Sequence, residues 1–280
     1  MQRTIDFISN HPLTRDNPLP AFARLAGWQL RSRLARDVTV PWIEGAKLVV
    51  RRGMTGATGN IYCGLHEFAD MAFVLHMLRP GDLFVDAGAN IGSYTVLSSR
   101  VAGAKTLAIE PDPDTMKSLA RNVAVNGIND RVEQVQCALG AAEGTISFTV
   151  GRDTTNRVAQ PDEDNVQAVP VARLDTLLAG RAPVLVKMDV EGYEAEVLSG
   201  ARTMLADPTL LAVESEAESP QVEAIFAEAG FVRRHYNPLS RTFDTAHVGA
   251  GGNALFVRDE AACLARVRSA PKRRILGQDV

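Results

Sequence analysis

Apolar residues along this chain change their spacing from one stretch to the next. Leu83, Phe84 and Val85 form a short unbroken apolar run, the pattern of a strand buried on both faces. From Tyr94 to Val101 the apolar positions recur at helical spacing. Read in this way, the chain predicts strands at 83–86, 105–110, 131–137, 183–189, 209–215, 231–236 and 253–258. It predicts helices at 92–102, 113–127, 191–206 and 219–230. Strands that alternate with helices make an α/β fold with an open, mostly parallel, seven-stranded sheet and helices on both faces. Between the third and fourth strands, Gly144–Val150 and Val166–Val171 have strand propensity and predict an inserted hairpin. The polar loop Gly151–Asn165, with Asn156 and Arg157, is a candidate substrate lid.

Upstream, Gly64–Leu78 has helical spacing and is stopped by Arg79-Pro80-Gly81. Residues 1–58 form an N-terminal helical extension rich in proline, with a basic amphipathic stretch from Phe22 to Leu34. That stretch is expected to pack Phe22, Leu25, Leu30 and Leu34 on the core with its arginines in water, rather than to lie on a membrane. The glycine-rich segment Gly53–Gly59 reads as a loop bordering the site. After a main domain at 59–258, residues 259–280 read as a short helix and a solvated basic tail, Pro271-Lys-Arg-Arg274.

The richest chemistry follows the first strand, in Asp82-Leu-Phe-Val-Asp86-Ala-Gly88-Ala-Asn90-Ile-Gly92. The strand ends in a carboxylate, and glycines then allow unusual φ values and close approach of a ligand. The second strand ends in Glu110, placed to accept hydrogen bonds from two ribose hydroxyls. A dinucleotide fingerprint, G-x-G-x-x-G, fails here, since Asn90 and Ser93 occupy the second and third glycine positions.

The pattern present, D-x-G-x-N-x-G, resembles the first motif of class I S-adenosylmethionine (SAM)-dependent methyltransferases, with Asn90 replacing the usual middle glycine. Val85–Gly92, Ile109-Glu-Pro-Asp-Pro113, Leu174-Asp-Thr-Leu177 and Val186-Lys-Met-Asp-Val-Glu-Gly-Tyr-Glu194 occur in the order and spacing of FkbM-family methyltransferases. The likeness covers about residues 59–258, and Lys-x-Asp-x-Glu-Gly is its most specific element. It implies a Rossmann-like class I methyltransferase fold, SAM as cofactor, and O-methylation of a hydroxyl on a sugar, polyketide or related natural product. Asp86, Gly88, Ala89, Asn90 and Gly92 would then surround the methionyl part, with Glu67 near its end. Glu110 and Pro111 would hold the ribose, and Cys137 and Ala138 would lie along the adenine.

On the fourth strand, alternation puts Lys187 and Asp189 on one side. A lysine among Leu185, Val186 and Met188 needs a partner, and Asp189 is the natural one. Either the two form a buried ion pair that steadies the sheet, or Asp189 orients or deprotonates an acceptor hydroxyl, with Lys187 and Glu191 beside it. Asp189, Glu191 and Glu214 are expected on the rim that carries the cofactor, where three acids could hold Mg²⁺, although no spacing in the sequence supports a metal site. His66, Glu67 and Asp70 approach the H-E-x-x-H pattern but end in Asp, which favours ordinary polarity at a helix start over a metal site.

Bulk properties narrow the field further. A net charge of −3 argues against nucleic acid as partner. Cys63, Cys137 and Cys263 are odd in number, with no C-x-x-C pair, and read as free thiols in a reducing compartment. With no signal peptide and no apolar run of about 18 residues, the expectation is a cytoplasmic protein acting on a small-molecule or glycan acceptor, with no membrane partner. Two rivals stand beside the methyltransferase: a non-catalytic SAM-binding or interaction protein on the same fold, and an NAD-dependent oxidoreductase disfavoured by the broken fingerprint.

Overall fold

The computed structural model describes residues 2–149, 156–160, 163–216, 219–244 and 253–280. Two helices, α1 (Gln2–Asn10) and α2 (Leu19–Leu34), open the chain, followed by an antiparallel hairpin of β1 (Asp37–Pro41) and β2 (Lys47–Arg51). The extension is therefore helical only in part. Ile8, Ala21, Trp28 and Leu48 share a core with Ala89, Ile91, Val96 and Leu119, so the extension is packed onto the site-bearing sheet. On α2 the buried residues are Ala21 and Trp28, whereas Leu30 and Leu34 are 62% and 78% exposed, contrary to their expected place in the core. Trp28 takes that side of the helix, and Leu30 and Leu34 point away from it.

The glycine-rich segment is not a loop. It forms α3 (Thr55–Cys63), and α4 (Phe68–Met77) follows it. At Gly59 a Cβ would stand 1.7 Å from the His66 ring, so this helix turn and the start of α4 need glycine to pack.

The central sheet is built from β3 (Leu83–Ala87), β4 (Lys105–Ile109), β5 (Val132–Val135), β9 (Leu185–Met188), β10 (Ala212–Ser215), β11 (Val232–Asn237), β12 (Thr242–Asp244) and β13 (Ala254–Val257). Between β5 and β9 lies a small sheet of β6 (Ala138–Leu139), β7 (Gly144–Thr149) and β8 (Val166–Ala172), which contains the expected hairpin. The central order is β12-β11-β13-β10-β9-β3-β4-β5, parallel from β10 to β5, with β13 antiparallel between β10 and β11. All seven predicted strands are present. The eighth, β12, is a three-residue edge strand.

Helices cover both faces of this sheet, as the continuous burial of β3, β4, β9, β10 and β13 requires. One face buries Phe84, Leu185 and Leu255 against Phe73 and Leu97, the other Val85, Val186 and Phe256 against Leu198 and Phe226. Helix α5 (Ser93–Val96) continues into a π-turn at Leu97–Val101, and α6 (Pro113–Val125) is capped by Asp112, whose carboxylate accepts from the amides of Asp114 and Thr115. After α7 (Leu174–Leu178), the helix predicted over 191–206 is divided into α8 (Glu194–Ser199) and α9 (Arg202–Ala206). The break falls at Gly200, where a Cβ would lie 2.1 Å from the Gly140 carbonyl oxygen. Helix α10 (Pro220–Glu228) precedes β11, and α11 (Glu260–Ser269) packs on α4.

Of the basic tail, Pro271, Lys272 and Arg274 are exposed as expected, whereas Arg273 is half-buried and the chain beyond it folds back. Arg273 pairs with Glu44, Arg274–Ile275 (β14) bridges Gln278–Asp279 (β15), and Ile275 and Val280 are buried. No helix among the described residues is long and apolar enough to cross a membrane.

Candidate functional site

The chain runs from β3 through β4 to β5 in one direction and returns to β9 and β10 on the other side of β3. This reversal opens a crevice at the carboxyl ends of β3 and β9, the place where open α/β sheets bind ligands. A cavity of about 440 Å³ occupies it. Residues after β3, β4, β5, β9 and β10 line it, including Gly88, Asn90, Glu110, Cys137, Asp189 and Glu216.

On the β3–β4 side the backbone does most of the positioning. The amides of Gly88 and Ala89 donate to the Ile109 carbonyl at 3.0 and 2.9 Å, which ties the turn to the end of β4. Gly88 has φ +78°, and a Cβ there would stand 1.8 Å from the Asp189 carbonyl oxygen. The glycine is thus required by the contact between the turn and the end of β9, whatever ligand approaches. Asn90 sits at φ 50°, a left-handed conformation that Gly and Asn adopt most readily, which explains Asn where related motifs carry glycine. Its Oδ1 accepts from the Ile91 amide at 2.7 Å.

Glu110 is held by two backbone donors, the amides of Asn90 and Asp112, each at 2.9 Å. Burial pushes its carboxyl up to about 8, against the pull of those two amides. Asp86 is fully buried, accepts from the Thr95 hydroxyl at 2.6 Å, and is pushed up to about 6 by burial, with Lys187 opposing. Burial likewise pushes the Cys137 thiol up to about 11, so it is an inert neutral wall of the cavity.

The β9–β10 side is organised by side chains acting on one another. Lys187 is buried, with its Nζ donating to Asp189 Oδ2 at 2.7 Å and standing 4.7 Å from the Tyr94 ring centre. In register it lies between Asp86 of β3 and Glu214 of β10. Burial alone would discharge the ammonium, but Asp189, Glu67 and Asp86 hold its pKa above the ordinary lysine range. Glu67 in turn accepts from the Tyr94 hydroxyl at 2.7 Å. Asp189 therefore belongs to the ion pair and lines the cavity at once. Burial would raise its carboxyl, and Lys187 overrides this and holds it below the usual range.

Glu214 is not on the rim. Its carboxyl is buried and does not line the cavity, and burial pushes its pKa well up. Glu216 takes the place expected for it, hydrogen-bonded to Asp189, and burial together with that carboxylate pushes it up to about 8. Strand alternation carries this signal, because residue 216 repeats the face of 214 one step nearer the carboxyl end.

Glu191, at φ 54°, completes an acidic trio with Asp189 and Glu216 in which one oxygen of each lies within 4.8 Å of the others. These are ligands of the kind hard cations take. Asp70 is committed elsewhere, accepting from the amide and side chain of Asn253 at 3.0 Å each, so it does not extend His66 and Glu67 into a ligand set. Of the lid segment, Asn156 reaches the cavity and Arg157 pairs with Glu163 at 2.9 Å, while 151–155 and 161–162 lie outside the described residues. Phe148 of the predicted hairpin and Val158 of the candidate lid also line the cavity.

A family match, on a fold whose cavity sits at the switch point, makes this chain a methyltransferase. The family model described as the methyltransferase FkbM domain matches residues 86–234, and the chain belongs to that family. It is 29% identical to methyltransferase SdnD of Sordaria araneosa, over 59% of this chain and 79% of that protein. With the hexuronic acid methyltransferase AglP of Haloferax volcanii it shares 30% identity, over 56% of this chain and 66% of that one. The 31-O-demethyl-FK506 methyltransferase FkbM of Streptomyces tacrolimicus is 27% identical over 58% and 71% of the two chains. Among solved structures, a putative transferase from Pyrococcus horikoshii superposes with a TM-score of 0.44 at 17% identity, covering 79% of this chain and 70% of that one.

Proposed function

We propose that the protein is a SAM-dependent O-methyltransferase acting on a hydroxyl of a sugar or natural-product acceptor. The observation that carries this reading is the pairing of Glu110, fixed by two amides at the end of β4, with the Gly88–Gly92 turn at the end of β3. A cavity of about 440 Å³ lies within the range of roughly 300–1,000 Å³ that small-molecule sites span. Its donors and acceptors suit the cofactor. Glu110 presents carboxylate oxygens to two vicinal hydroxyls, Ala138 and the neutral Cys137 offer an apolar wall to a base, and Asp86 and Glu67 face the cationic methionyl end.

When bound, SAM supplies a methyl group on a sulfonium, transferred in line to a nucleophile. The chain has to align the acceptor oxygen and take its proton. Lys187 holds Asp189 anionic, and Asp189 raises Glu216 by hydrogen bond and charge. Glu216 is thus the carboxyl beside Asp189 whose affinity for a proton is raised towards the working pH of a general base, with Asp189 orienting it and Glu191 at the cavity edge. The names of AglP and FkbM support an acceptor among glycans and macrocyclic natural products.

Calorimetric titration with SAM and with NAD tests the reading. A heat of binding for SAM alone, followed by label transfer from methyl-labelled SAM to a hydroxylated acceptor, is the expected result. Binding of NAD in preference to SAM would overturn it, and SAM binding without transfer to any member of a glycan and polyketide panel would leave the non-catalytic rival standing.

A further inference from the structure

Helix α2 has two apolar faces, and only one of them is buried. Ala21, Leu25 and Trp28 face the core of the extension. On the opposite side Leu19, Ala23, Ala26, Leu30 and Leu34 follow one another at intervals of four, three, four and four residues, a single row along the helix. All five are exposed, Leu19 to 75%, Leu30 to 62% and Leu34 to 78%. The outer row of a surface helix is ordinarily its polar row. Here the polar residues stand at the edges instead, as Arg31 and Arg33, whose guanidinium groups bond carbonyls of their own helix, with Arg36 just beyond. From Asn17 to Arg36 the chain carries four arginines and no acid.

We infer that α2 seats the protein on an anionic lipid surface, its outer row immersed at the headgroup boundary and its arginines against lipid phosphates. Charge selects this occupant. A second copy of the chain laid on the same row would bring apolar surface but no carboxylate from α2 to meet Arg31 and Arg33, whereas an anionic bilayer supplies both. The helix lies one layer from the site. Arg24 on its inner side clamps the Tyr62 carbonyl at the end of α3 with two hydrogen bonds of 2.9 and 2.6 Å, and Gly56 and Ala57 of α3 line the cavity. Docking does not depend on the identity of the methyl donor.

The test is co-sedimentation of the full chain with vesicles of phosphatidylcholine alone and of phosphatidylcholine mixed with phosphatidylglycerol. Binding to the mixed vesicles, weakened by salt, is expected. Replacing Leu30 and Leu34 together by serine should lower partitioning on the order of a hundredfold, while melting temperature and SAM titration stay as in the parent. Arg31→Gln with Arg33→Gln should remove the preference for anionic vesicles. Equal partitioning to both vesicle types, or leucine variants that bind like the parent, would overturn the inference. So would a dimer that the leucine variants dissociate in the absence of any vesicle binding. Loss of SAM binding in the parent chain with vesicle binding intact would instead count against the proposed cofactor alone.

Discussion

The two sides of the cavity are built on different principles. On the β3–β4 side Glu110 and the Gly88–Gly92 turn are fixed by main-chain amides and a carbonyl, partners that no side-chain substitution removes. On the β9–β10 side Asp189 and Glu216 are fixed by Lys187 and by each other. A site held by backbone responds locally when one residue is changed. A site held by mutual charge responds as a unit and shifts with pH.

Gly88→Val attacks the joint between the two sides and should have the largest effect. A branched side chain at φ +78°, with its Cβ 1.8 Å from the Asp189 carbonyl, pushes the turn off β9. The expected loss of stability exceeds about 4 kcal/mol, and soluble, folded protein at ordinary temperature would contradict the contact. The sequence reading gave this glycine to the ligand, but the structure gives it first to the neighbouring strand.

Lys187→Met removes the cation that the β9–β10 side is arranged around, leaving Asp86, Asp189 and Glu214 facing one another. Breaking one partner out of a buried ionic group costs about 3–5 kcal/mol, to be read by denaturant unfolding. The loss should be greater at higher pH, because the stranded carboxyls can take up protons only as pH falls. A pH-independent loss would indicate that packing of the lysine stem, and not its charge, supports the sheet.

Glu216→Gln leaves the ion pair in place and removes the proton acceptor. Turnover should fall by ~10²-fold or more with SAM affinity nearly unchanged. In the parent, activity should climb as pH rises through about 8 and the Glu216 proton is lost, a limb absent from the variant. Stability moves the other way. Because the folded carboxyl holds its proton to about 8 against an ordinary 4.5, its contribution declines as pH rises between those values, and the variant should lack that decline. A parent-like pH profile in Glu216→Gln would return the role of base to Asp189.

How much of this was legible in the sequence follows the same division. The β3–β4 side was readable because its residues are adjacent along the chain, as in Val85–Gly92 and Ile109–Pro113, and their spacing encodes the turn. Glu216 was missed because its role comes from a hydrogen bond across two strands, and Glu214, one repeat earlier, looked equally suitable. Helix α3 was hidden by glycines that normally disfavour helix but here allow the His66 ring to approach. The outward turn of Leu30 and Leu34 was hidden because Trp28 and the leucines lie on opposite sides of one helix, and the pattern alone does not say which side meets the core.

Glu110→Ala confines the damage to the β3–β4 side. Two ribose hydroxyls lose their acceptor, and two hydrogen bonds of ~0.5–1.5 kcal/mol each go with it, so the SAM dissociation constant should rise roughly fivefold to a hundredfold. Among the described residues this carboxylate is hydrogen-bonded by the amides of Asn90 and Asp112 and not by the β9–β10 side, so the pH limb assigned to Glu216 should persist in whatever activity is left. An unchanged dissociation constant would sink the ribose assignment.

Asn90→Gly is the mildest probe, and it asks whether backbone geometry alone explains this residue. Glycine adopts φ 50° without strain, and the amide that donates to Glu110 is retained. What disappears is the Oδ1 bond to the Ile91 amide, worth about 0.5–1.5 kcal/mol, set against relief of a left-handed conformation in a residue with a Cβ. The two changes oppose each other, so stability should move by less than about 1 kcal/mol and SAM affinity by only a few-fold. A loss of affinity as large as that of Glu110→Ala would show instead that the Asn90 side chain itself touches the ligand, and that the β3–β4 side is not held by backbone alone.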